Sequence, residues 1–236
     1  MAINLLVFGA PRSGTSLLAA MLGAHPDVAM AHEDTGDGWT RVVGKRVQGV
    51  KLVTPHQIEH THALPERLRR ARRRIRRYGL QNWGIGWPRF KMRSVFTIRD
   101  FQTWPDARLL AVLRDPQDGI ESIQQRGTHL YGEAEYRWAR ALEAIETVRT
   151  ETPDRLHVIY YDNLVRDPET TMRRCLAWLD LPYDSRVIQG ETVNYGAGGI
   201  DPAKAGDRGD AARRHPVFDK RPDLAAAFTA LTRGTD

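Results

Sequence analysis

The sequence predicts an α/β fold with a central parallel β-sheet flanked by helices, and three observations predict it. Short apolar runs, each the length of a buried strand, alternate with segments of helical periodicity. Two of those helices open on an Asp-Pro pair, the residues that best cap and start a helix. Of the 236 residues, 41% are hydrophobic and 27% charged, which excludes a disordered chain and is enough to bury a sizeable core. No internal repeat or linker composition interrupts the pattern, so residues 1–236 are expected to form a single domain.

The elements follow in order. Ile3 to Phe8 is an apolar run that reads as a first, doubly buried strand. A Gly/Pro/Ser turn occupies 9–14, and Thr15 to Gly23 places Leu17, Leu18, Met21 and Leu22 on one helical face. Val28 to Met30 and Val47 to Val53 are the next strands, the latter closed by Pro55. Ala107 to Leu113 is a further strand, ending in Arg114-Asp115-Pro116, where Asp115 caps a helix. Glu133 to Arg149 reads as a long helix and Leu156 to Tyr161 as another strand. Asp167-Pro168 opens a helix running to about Leu179, 196–216 reads as a loop, and a short helix is expected over 223–231.

Composition removes several function classes. The longest apolar stretches, Leu5 to Phe8 and Leu109 to Leu113, are far too short to span a membrane. The first residues lack a basic segment and read as a strand rather than a signal peptide. The single cysteine, Cys175, falls in line with Met172, Leu176 and Leu179 as a core thiol. These features point to a cytoplasmic protein. The net charge of +6 is local: residues 66–77 hold eight arginines and one glutamate, and the rest of the chain sums to −1. That segment reads as a helix with a thin apolar stripe. It is either a solvated face or an electrostatic guide for an anionic ligand or surface. Nucleic acid is the weaker partner, since no aromatic residues are interleaved with the arginines.

Gly9-Ala10-Pro11-Arg12-Ser13-Gly14-Thr15-Ser16 lies between a strand and a helix, where loop and helix-terminal amides converge on one anion-binding point. The hydroxyls of Ser13, Thr15 and Ser16 and the guanidinium of Arg12 add further donors. Gly9 and Gly14 have the spacing of a nucleotide-kinase loop, making the fold P-loop-like, but Thr15 stands where that loop carries lysine. An ordinary capped turn is the plainer alternative. The stretch from Pro11 to Leu18 resembles the 5′-phosphosulfate loop of sulfotransferases that use 3′-phosphoadenosine 5′-phosphosulfate (PAPS). The wider Gly9 to Glu33 segment, with Ala24-His25-Pro26-Asp27-Val28, is most similar to tyrosylprotein-type and related bacterial sulfotransferases.

Arg114 ends a strand and Ser122 follows eight residues later on the next helix. Alone, Arg114 pairing with Asp115 would explain it. The resemblance implies instead a 3′-phosphate site, giving two anion sites for one doubly phosphorylated nucleotide. Tyr160 to Pro168 and Ala177 to Pro182 are similar to structural stretches of the same family. The resemblance implies that Lys204 and Arg208, in a Gly-containing basic segment within 196–216, are the counterpart of the family's cofactor-covering loop, though the segment lacks the usual Gly-Trp signature.

Sulfuryl transfer needs a base for the acceptor proton. The resemblance assigns this role to Glu33, with His32 and His56 as rivals, and assigns Lys51 to the transferring group. A solvated loop carboxylate and a surface lysine are the plainer readings of Glu33 and Lys51. Core or loop packing is the default for Tyr136 and for the tryptophans. A metal site at His32-Glu33-Asp34 is rejected, because adjacent residues of one strand face opposite ways. The resulting expectation is a PAPS-dependent enzyme requiring no metal, acting on a small-molecule, carbohydrate or peptide acceptor. The alternatives are a P-loop kinase or NTPase with a degenerate loop, and an anionic-polymer-binding module using the Arg-rich helix.

Overall fold

The structure is a computed structural model, and it describes residues 2–33, 44–55, 57–59, 96–104, 106–125, 131–189, 200, 202 and 215–233. The Arg-rich segment 66–77, Asp34, His56, Lys204, Arg208 and most of 196–216 lie outside the described residues.

Five strands form one parallel sheet: β1 (Ile3–Gly9), β2 (Val28–His32), β3 (Val47–Val53), β6 (Ala107–Leu113) and β7 (Leu156–Tyr160), in the order β2-β3-β1-β6-β7. A separate parallel pair joins β4 (Ile58–Glu59) to β5 (Phe96–Thr97). The chain leaves β1 toward β2 and β3 on one side, then crosses to β6 on the other. The carboxyl ends of β1 and β6 therefore flank the point where strand order reverses, where ligands of open α/β sheets sit. Gly9 is level with Val53 on one neighbour and with Val112 on the other, so the three strands end at one edge.

Strand alternation sends side chains to two cores. Leu5 and Val7 join Leu110, Val112 and the helices α1 (Thr15–Gly23), α5 (Tyr161–Arg166) and α6 (Pro168–Trp178). Leu6 and Phe8 join Leu109, Ala111 and the opposite helices. These are α3 (Pro116–Gln124) and α4 (Tyr131–Glu151), with α8 (Pro216–Lys220) and α9 (Pro222–Arg233) laid over them. Trp138 of α4 is buried there, edge-on to Phe218 of α8 at a centroid distance of 5.9 Å. Cys175 is buried in the first core, and burial pushes its thiol up to about 12.

Several sequence expectations shift. β2 extends to His32, because pairing with β3 carries the strand past its apolar residues. Tyr161 opens the short helix α5 (Tyr161–Arg166) instead of closing β7, and Asp162 and Asn163 after it are poor strand formers. Two short helices went unforeseen, α2 (Ile98–Gln102), closed by a Thr97/Asp100 capping box, and α7 (Arg186–Gln189). Tyr136 is 57% exposed rather than packed. Among the described residues, no helix is long and apolar enough to cross a membrane.

Candidate active site

The loop from Gly9 to Thr15 is shaped by close backbone approaches. A Cβ at Gly9 would lie 2.6 Å from the Val112 carbonyl oxygen and 2.8 Å from Ser13 Oγ, so only glycine lets the loop pass under β6. Arg12 and Gly14 both adopt left-handed backbone, at φ 66° and 96°. Ser13, buried, donates its hydroxyl to the Ala10 carbonyl at 2.8 Å. Ser13 thus shapes the turn, whereas the sequence suggested its hydroxyl as an anion donor. Gly14 is the N-cap of α1 and has no side chain to satisfy the helix's first amides. Those amides and the exposed Arg12 guanidinium crown the sheet edge.

Arg114 reaches the same place. Its Nη1 donates to the Arg12 carbonyl at 3.0 Å, and its guanidinium lies 4.4 Å from the centre of the Tyr161 ring. Neither partner carries a negative charge. Trp138 Nε1 donates to the Arg114 carbonyl at 3.1 Å and pins the strand end to α4. Asp115 does not serve as the explanation of Arg114. Its carboxylate caps α3 by accepting from the Gln117 amide at 2.8 Å. Burial, then the nearby charges of Asp118 and Asp162, push the Asp115 carboxyl up to about 6. Ser122 is half-buried on α3, the helix that Arg114 leads into.

The third corner lies at the ends of β2 and β3. Glu33, with a left-handed φ of 56°, accepts from Lys51 Nζ at Oε1 (2.6 Å) and from Gln57 Nε2 at Oε2 (2.7 Å). Lys51 is only 2% exposed and the Glu33 side chain 42% exposed, so the ion pair has a dry end and a wet end. Burial works to raise the Glu33 carboxyl. The Lys51 hydrogen bond and charge, with Gln57's hydrogen bond, outweigh it and hold the group below the usual carboxylate range. His32 pairs in register with Lys51, and its Nε2 lies 3.2 Å from Ser16 Oγ, tying this corner to the loop. Burial, then the Lys51 charge, lowers the imidazole's pKa.

The model of the sulfotransferase family matches residues 4–185. The chain belongs to that family. Among curated relatives, protein-tyrosine sulfotransferase 1 of Danio rerio is 27% identical over 219 residues, covering 85% of this chain and 59% of that protein. The protein-tyrosine sulfotransferase of Drosophila melanogaster is 27% identical over 208 residues, covering 79% and 40%. The chain thus spans about half the length of these relatives. Among solved structures, the sulfotransferase domain from the Synechococcus PCC 7002 olefin synthase superposes with a TM-score of 0.58 at 19% identity, covering 97% of this chain and 95% of that one. A sulfotransferase from Alicyclobacillus acidocaldarius gives 0.53 at 16%, covering 100% and 96%. At such identities the likeness is one of fold.

Within this sulfotransferase-family chain, the structure brings Arg12, Ser13, Gly14, Thr15, Ser16, His32, Glu33, Lys51 and Arg114 to one sheet edge. Lys51 is a buried, paired residue rather than a surface lysine. Two residues at that edge were not singled out by sequence reasoning. Tyr161 packs its ring over Gly14, where a Cβ would overlap it, and beneath Arg114. The register of Leu113 with Tyr160 is what sets Arg114 beside Tyr161, and no local pattern signals it. Gln57 follows β3 in a stretch with no motif.

Proposed function

We propose that this protein moves a sulfuryl group from PAPS to the hydroxyl, or amine, of an acceptor, with residues 1–236 acting as one domain. One observation carries the reading: the hydrogen bond from Arg114 to the Arg12 carbonyl, which joins two cationic clusters at a single sheet edge. A nucleotide with separate 5′ and 3′ anions fits two adjoining clusters. A triphosphate is the poorer fit, since Thr15 replaces the lysine that reaches its β- and γ-phosphates.

The residues present suit that donor. The Gly9–Ser16 turn, a cradle that a Cβ at Gly9 would fill, and Arg12 take the 5′ end, while Arg114 and Ser122 take the 3′ end. Lys204 and Arg208 belong to the same proposal as covering residues. When bound, PAPS supplies an activated sulfuryl group on a phosphate leaving group. Arg12 and the loop amides offer charge and N–H donors where the leaving phosphate gains charge, without reorganising in the reaction. Glu33, held ionised by Lys51 and Gln57 and open to solvent on one side, takes the acceptor proton. Lys51 fixes that carboxylate and places a cation behind it, and His32 links Ser16 to the same corner.

Peptide tyrosine is the first acceptor to test, because the relatives are named for it. A cytoplasmic location accompanies the reading and rests on the chain's single cysteine. Calorimetric titration with adenosine 3′,5′-bisphosphate in EDTA is expected to show tight one-to-one binding. No binding, or binding only with magnesium, overturns the proposal. Incubation with labelled PAPS and either tyrosine peptides or a metabolite extract, read by mass spectrometry, then assigns the acceptor.

A further inference from the structure

We propose that Gln57 is the positioning residue for the Glu33 carboxylate, holding one of its oxygens so that the outward lone pairs face the open sheet edge. The inference rests on Glu33 acting as the base.

The Gln57 side chain has one possible orientation. The Val53 backbone N–H can only donate, and it meets the Gln57 side chain at 2.7 Å, so that atom is Oε1. Nε2 is then turned to Glu33 Oε2, 2.7 Å away. Gln57 is itself anchored through its backbone N–H to the Val53 carbonyl at 2.8 Å. The Glu33 backbone N–H is tied to the Lys51 carbonyl at 2.9 Å. Among the described residues, the hydrogen bonds that hold Glu33 therefore come from β3 and the turn that follows it.

The two donors divide the work. Lys51 brings charge and Gln57 brings direction. A carboxylate offers about four lone-pair positions, and these donors occupy two. With both oxygens held, the carboxylate loses its rotation about the terminal bond, and what it presents outward is fixed before an acceptor arrives. Both partners are donors, so the corner favours the ionised acid, and a proton taken by Glu33 enters on an outward lone pair. The titratable groups facing Glu33 among the described residues are Lys51 and His32, and neither duplicates the contact at Oε2.

Gln57→Glu separates positioning from folding. Glutamate keeps an oxygen for the Val53 N–H, so the turn retains its anchor. It removes the donor to Glu33 and puts a like charge in its place. The acid limb of the kcat–pH profile is expected to move up by about one unit or more. At a pH below that limb kcat falls on the order of tenfold or more. The KM for PAPS and the affinity for adenosine 3′,5′-bisphosphate stay within about twofold, a tolerance small against one decade of binding energy. Gln57→Met, which lacks donor and acceptor alike, shifts the limb in the same direction by less. A carbon-13 NMR titration of the Glu33 carboxylate reads the same contact without turnover. Its midpoint is expected to rise in both variants. An unmoved midpoint and limb, with loss confined to thermal stability, overturns the positioning role. A moved midpoint in a protein that fails to turn over PAPS retains the clamp and refutes the proposed function.

Discussion

The two ends of the site are built from different materials. The anion loop is made of backbone: a left-handed Arg12, a left-handed Gly14 under the Tyr161 ring, and a Gly9 pressed against Val112. The Glu33 corner is made of side chains that meet across strands, with Lys51 and Gln57 each holding one carboxylate oxygen. A loop of the first kind fails when atoms are added to it, and a corner of the second kind fails when a functional group is removed. On the proposed function, the difference predicts which substitutions report on donor binding and which on proton transfer.

The sharpest break falls on the side-chain corner. Glu33→Gln is expected to lower turnover by on the order of 10²–10⁴-fold, measured as acceptor-dependent release of adenosine 3′,5′-bisphosphate. It also leaves Lys51 buried without its carboxylate, so bisphosphate binding by calorimetry serves as the check on folding. Unchanged turnover would move the base to His32 or His56.

Arg12→Ala tests the charged side chain of the loop. Turnover should fall by about a hundredfold, with bisphosphate binding weakened but measurable because the amides remain. Equal losses in binding and turnover would show that Arg12 acts on the ground state alone.

Gly14→Ala probes the loop as backbone. An alanine there is strained at φ 96° and overlaps the Tyr161 ring. Stability should drop by about 1–2 kcal/mol in chemical denaturation. Bisphosphate affinity should fall with it, since Tyr161 also carries Arg114.

The smallest effect belongs to neither region but to the helix beside them. The Asp115 carboxyl titrates near 6 in the folded protein against an ordinary 3.8. Below that window both states are protonated and the group costs nothing. As pH rises through it, the folded state must give up a proton it holds more tightly than the unfolded chain does, and stability is lost. Asp115→Asn keeps the cap on Gln117 and is expected to raise the melting temperature slightly at neutral pH. It should also flatten the fall in stability across that window. A lowered melting temperature at pH 7 would contradict the assignment.

Much of this was legible in the sequence, for reasons of range. Gly9, Arg12 and Gly14 are read from local spacing, because a turn between a strand and a helix is a matter of a few consecutive dihedral angles, whereas Arg114 owes its reading to the family resemblance. The helices opening at Pro116 and Pro168 are read the same way, from a capping aspartate and a proline. Lys51, Gln57 and Tyr161 acquire their places only in the folded sheet. Lys51 meets Glu33 because β2 pairs with β3 in one register, and Tyr161 meets Gly14 because β7 ends beside β6. A parallel sheet joins strands far apart in the chain, and a shift of one residue would turn Lys51 to the other face. The sequence alone therefore determined a glycine turn with amides and an arginine suited to an anion. The tertiary structure decided which atoms hold the Glu33 carboxylate.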